Sequence, residues 1–253
     1  MSHPPQPSPA VPSEAPALDL REKGGPKDGV PQFSERRLFV QLTAFAGCRD
    51  PHKLYNAVGG AGVDCVLYGD MHDPMGVAVL AMAEDPSLLA LKHRGDMSSG
   101  PFADLRTKPE LSMLGRTYAL GYEPRLEDWL LHRPRRVALD PEWPWAIWYP
   151  LRRKGAFARL PRAEQGQILK EHGIIGRQFG DAGAAQDIRL ACHGLDANDN
   201  DFVIGLIGRE LAPLSQLVET MRATVQTSEY IENLGPFFVG RALWRTHAKK
   251  EAA

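Results

Sequence analysis

From Arg36 onward, short apolar runs alternate with amphipathic stretches, and the spacing between them predicts discrete strands and helices. RLFVQLTAFAG (Arg37–Gly47) is apolar over the length of one strand. DPHKLYNAVGG then predicts a short helix opened by Asp50, with Pro51 in the first position, where the missing N–H costs nothing. DCVLYGD and GVAVLAMA (Gly76–Ala83) predict two buried strands joined across MHDPM. DPSLLALKHRGDM predicts a helix and LSMLGRTYALGYE (Leu111–Glu123) a further strand. The order is β-α-β-β-α-β.

A bridge rich in Pro and Trp follows, PRLEDWLLHRPRRVALDPEWPW, and then the order repeats. AIWYPLR (Ala146–Arg152) predicts a strand. PRAEQGQILKEHG predicts a helix that starts at Pro161 and stops at Gly173. IRLACHG (Ile188–Gly194) and DFVIGLIG (Asp201–Gly208) predict strands across LDANDN. LAPLSQLVETMRATV places Leu211, Leu214, Leu217, Val218 and Met221 on one helical face, and PFFVGRALW predicts the closing strand. Two such units in tandem predict an α+β chain of two ferredoxin-like repeats, packed face to face as a barrel-like dimeric α+β barrel.

The first 33 residues are dense in Pro, Ser and Gly, and composition predicts a disordered tail. The expected organisation is a tail over 1–33, a ferredoxin-like half over 34–123, a connecting segment over 124–144, a second half over 145–246 and a short tail over 247–253. Thirty basic residues against thirty-one acidic ones argue against a nucleic-acid partner. No apolar run reaches the ~20 residues of a membrane span, and no secretory signal is evident, so the cytoplasm is the expected compartment. Cys48, Cys65 and Cys192 form no CxxC pair and read as buried small hydrophobes.

The second half carries YPLRRKGAF, LPRAEQGQILKEHGIIGRQFG, IRLACHGLDANDNDFVIGL, PLSQLVETMRAT and GPFFVG in order, from Tyr149 to Trp244. These segments resemble the C-terminal half of the chlorite dismutase superfamily, which includes chlorite-degrading haem enzymes, coproheme decarboxylases and haem-binding relatives. The helix-borne Glu171-His172-Gly173, the Gly194-Leu195-Asp196 turn and the Phe237-Phe238-Val239-Gly240 strand carry most of the likeness. The resemblance implies an iron porphyrin, haem b or coproheme, with His172 as axial metal ligand. It implies peroxide or a similar small oxidant as co-reactant, and a homo-oligomer, in relatives a ring of five. Neutral imidazole suits haem iron, although a histidine ending a helix also reads as an imidazole at the negative dipole end.

Counting back from Gly194 puts Asp187, beside Gln186, where relatives place the residue above the iron; chlorite-degrading enzymes have Arg there and decarboxylases often Gln. Arg189 lies two residues on. Asp187 and Arg189 are therefore the catalytic candidates, Arg189 as a charge that steadies an oxyanion or, equally, as an ordinary partner of Asp187. Tyr149, Arg152 in the cluster Arg152-Arg153-Lys154, Arg222 and Thr227 are the further cofactor-binding candidates, the arginines as forks for propionates. Where decarboxylases carry a Trp-Tyr pair, this chain has Phe157 and Ala158, so a radical tyrosine would have to come from Tyr149 or Tyr230. That departure leaves open a non-catalytic haem carrier or sensor, or a haem-free protein of assembly. Asp70-Met71-His72-Asp73 and the run Asp196 to Asp201 read as turns rather than metal sites, and His193 as a core histidine.

Overall fold

The computed structural model describes residues 18–58 and 63–246. It is an α+β fold built on one large antiparallel sheet. In the first half, β3 (Phe39–Ala46), β4 (Asp64–Asp70), β5 (Val77–Ala83) and β7 (Met113–Thr117) lie in the order β7-β3-β5-β4. In the second, β8 (Trp145–Arg153), β9 (Gln186–Ala191), β10 (Phe202–Gly208) and β12 (Phe238–Arg245) lie in the equivalent order β12-β8-β10-β9. Two short strands add to this path, β6 (Arg106–Thr107) on β3 and β11 (Ile231–Leu234) on β8. Two seams join the halves, β4 to β12 and β7 to β9. Because β8 pairs with both β12 and β10, the hydrogen-bonded path also returns from one end to the other.

The alternation read from the sequence sorts side chains onto two faces. Leu38, Val40, Leu42 and Ala44 point with Trp148, Leu190 and Phe238 into one core shared by both halves. On the opposite face the first half covers itself with Leu54, Leu89 and Phe102. The second half covers its own outer face with α4 (Arg162–Asp181) and α5 (Leu211–Arg222), which leave a less complete cover.

Three expectations need correction. The expected disorder of residues 1–33 fails from residue 18 on, while 1–17 lie outside the described residues, as do 247–253 of the short C-terminal tail. β1 (Glu22–Lys27) and β2 (Val30–Ser34) form a hairpin that turns at Asp28-Gly29, both at positive φ. Polar contacts hold it: Glu22 pairs with Arg37 at 2.9 Å and Arg116 at 3.0 Å, and the Gln32 amide donates to Gly25 O at 2.6 Å. Composition is blind to such contacts. The expected bridge is helical, Asp128–His132 running into α2 (Arg133–Leu139), with Pro134 in its first turn.

The strand expected over Leu111–Glu123 is confined to β7. Finally, the helix expected to stop at Gly173 runs on to Asp181. Ile168, Leu169, His172, Ile175 and Phe179 keep one helical phase across Gly173, and the true stop is Gly183, at φ +64°. His172 is therefore a mid-helix residue, and the helix-end reading of it falls.

Candidate functional site

The outer face of the second half is unevenly filled. Its cluster has seven buried hydrophobics and twelve partly buried ones, against thirteen and eight on the first half, so a larger share of its apolar side chains is left partly open. No residue of α4 is fully buried, although the helix is 20 residues long. Its partly covered stripe presents His172 to this surface.

His172 Nδ1 lies 3.4 Å from the hydroxyl of Thr224, the N-cap of α6 (Val225–Tyr230). That hydroxyl donates to Met221 O at 2.7 Å and accepts the Thr227 N–H at 3.4 Å. In the Nδ1–H tautomer the imidazole donates to this hydroxyl and the Nε2 lone pair is left free. The adjacent Glu171 carboxylate accepts the Val225 N–H at 3.1 Å, so α4 grips the start of α6 through two consecutive side chains.

Burial pushes the His172 pKa down to about 4, and the nearby positive charges of Arg153 and Arg189 add to the shift. A folded-state pKa below the ordinary value means that the stability from neutral His172 is complete above about pH 6.5. It is lost as pH falls toward 4, and integration to pH 4.5 gives roughly 2 kcal/mol. Urea unfolding of the wild type at pH 7 and pH 4.5 should show that loss in excess of any seen for His172→Gln. Parallel pH profiles for the two proteins would mean that the imidazole titrates normally.

β8 and β9 bring the remaining groups toward His172. Asp187 lies 3.0 Å from Arg133 and 2.9 Å from Arg189, and both guanidiniums also stack near Trp129, at 4.8 and 4.9 Å. Burial would raise the Asp187 carboxyl, but Arg189 and Arg133 hold it below the usual value. The Nε–H of Arg189 lies close to Asp187 without a hydrogen-bond geometry, and has no acceptor among the described residues. Tyr149 is buried, stacked on Phe237 at 4.7 Å; burial raises its hydroxyl pKa, and it senses the charges of Asp187 and Arg222.

Not every candidate joins this group. Arg152 points to the other side of β8, where it donates to Asp199 O at 2.8 Å and Asn198 O at 2.6 Å. Its neighbour Arg153 takes the place facing the site, between Phe157 at 4.9 Å and Phe202 at 4.6 Å. The Arg153 Nε–H has no partner among the described residues, and burial lowers the guanidinium pKa. Alternation along β8 separates the two arginines, a signal the sequence did contain. Arg222 ends α5 with its side chain exposed, and Thr227 hydroxyl lies 3.3 Å from that of Thr224. Tyr118, Trp129 and Arg133 were not foreseen. Trp129 and Arg133 stand one helical turn apart, but their relation to Asp187 is long-range.

The rival motifs resolve as local structure. Lys108 bridges Asp70 and Asp73 at 2.8 Å each, and Asp196 accepts from Asn198 and Asn200 within its own turn. His193 is no core histidine, being half exposed and 3.2 Å from Asp201. All three cysteines are buried and free. Among the described residues, no helix is long and apolar enough to cross a membrane.

The family model for chlorite dismutase matches residues 107–243. Among solved structures, the chain is similar to a haem-binding protein from Thermus thermophilus, at 18% identity and TM-score 0.63, over 82% of this chain and 92% of that one. It is also similar to a tryptophan variant of chlorite dismutase from Candidatus Nitrospira defluvii in complex with cyanide, at 14% identity and TM-score 0.65, covering 83% and 92%. The same enzyme with imidazole gives 13% identity and TM-score 0.64, with 83% and 92% covered. At such identities the likeness shows the shared fold.

Proposed function

The chain belongs to the chlorite dismutase family, and on that footing we propose that it binds an iron porphyrin, haem b or coproheme, against its second half. His172 would hold its iron in this reading, and peroxide or a similar small oxidant would be the co-reactant. The observation that carries it is the His172 imidazole, kept neutral by burial and in contact with the Thr224 hydroxyl through Nδ1, beside an incompletely covered apolar face. The residues present fit the group: a neutral nitrogen donor, an apolar wall, and cationic side chains for carboxylates.

When bound, the porphyrin supplies the redox chemistry of its iron. The work of the protein is orientation and charge. Asp187, held ionised by Arg133 and Arg189, is a poor general acid and acts as the residue that positions Arg189. Arg189 provides the fixed positive charge that favours an anionic oxidant or oxyanion. Arg153, Arg222 and Thr227 are the groups to receive propionates; Arg152 is engaged by the turn at 198–199. We read the chain as two ferredoxin-like halves that close a barrel through the β8–β10 pairing and the two seams, and, from the family resemblance and composition alone, as a cytoplasmic homo-oligomer. Phe157 and Ala158, in place of the Trp-Tyr pair, favour a second reading, a haem carrier or sensor.

Absorption titration of the purified chain with haem and with coproheme tests the first claim. A saturable Soret band is expected, and its absence for both would leave the haem-free reading. Peroxide added to the coproheme complex separates the other two. Modified porphyrin in the mass spectrum supports the enzyme, and unchanged porphyrin the carrier.

A further inference from the structure

A second pocket, about 530 Å³, lies between the outer face of β3 and the helical stretch 86–98, with Leu195 of the second half also lining it. That volume falls within the roughly 300–1,000 Å³ of ordinary small-molecule sites. Phe39, Phe45, Leu89 and Leu114 supply apolar wall. Gln41 and Thr43 lie between the two phenylalanines along β3 and put hydrogen-bonding groups on the same face. Among the described residues no carboxylate lines the pocket, and the one full cation that does is Arg94, which is exposed. Asp96, two residues on, is engaged with Lys92 at 3.0 Å. His93 also lines it, at 3% exposure, and its Nε2 has no hydrogen-bond partner among the described residues. A buried polar atom left in that state is costly unless an occupant satisfies it.

We propose that this pocket is a second ligand site, separate from the porphyrin face, which takes an aliphatic monocarboxylate of medium chain length. The hydrocarbon chain packs against Phe39, Phe45, Leu89 and Leu114. The carboxylate meets Arg94, with Gln41 and Thr43 as uncharged donors, and His93 is the further polar group the occupant satisfies. The charge of the lining selects the class: every polar side chain named can donate a hydrogen bond, and none repels an anion.

Calorimetric titration of the full chain with octanoate, and in parallel with 1-octanol, tests this. Octanoate is expected to bind at least about tenfold more tightly than the alcohol, and Arg94→Gln to erase that preference. Ala90→Trp, at an exposed position on the pocket rim, should abolish octanoate binding while leaving the haem titration unchanged. No saturable binding of octanoate, equal binding of octanol, or octanoate binding that survives Ala90→Trp would overturn the assignment. A changed particle mass for Ala90→Trp in sedimentation would overturn it too, in favour of a neighbouring copy of the chain as occupant.

Discussion

His172→Ala should yield a folded protein whose affinity for haem is at least about 100-fold weaker, a loss of roughly 3 kcal/mol. The substitution falls on a helix with no fully buried residue, and alanine is the best helix former, so α4 itself should survive. What disappears is the nitrogen proposed to hold the iron. Free imidazole added to the solution should restore much of the ligated spectrum, since the hollow left by the side chain is the size of the missing ring. Thr224→Val supplies a graded version. The ring keeps its place but loses the hydroxyl at its Nδ1, and such outer partners commonly cost about 10–100-fold in metal affinity. Absorption titrations of the three proteins decide the matter, and a His172→Ala spectrum identical to wild type would take iron ligation away from this residue.

Gly205→Ala should cost about 3 kcal/mol of stability, at the upper end for overpacking. Gly205 on β10 is paired with Trp148 on β8, and a methyl group there would overlap the indole ring. Trp148 is fully buried in the core that both halves share, so the ring has nowhere to retreat. Denaturant unfolding followed by tryptophan fluorescence should show the midpoint fall, with a melting temperature lower by about 6–12 °C for a chain of this size. A variant as stable as the parent would mean that the close approach of these two strands is not real.

The strands were legible because their apolar runs are long and bounded by turn residues; β8 and β10 lie within one residue of expectation at each end. Misreadings arose where a local signal competed with a distant one. Gly173 offered a stop, but the apolar phase through Ile175 and Phe179 carries the helix across it to dock beside α5, where Gly176 meets Met221. The hairpin over 22–34 depends on Glu22, Gln32 and partners about 90 residues away, which no window can see. Part of the candidate site was visible in the sequence. His172 and Asp187 could be placed by motif, and Arg189 by alternation. Arg133 and Tyr118 belong to the first half and its bridge, and they reach Asp187 only after the halves are assembled.

The seam between β4 and β12 pairs Asp70 with Gly240, residues 170 apart. During synthesis the first half leaves the ribosome with β4 as a bare strand edge, its partner still untranslated, and such an edge is an invitation to other chains. Completion of the fold is therefore tied to arrival of the last strand.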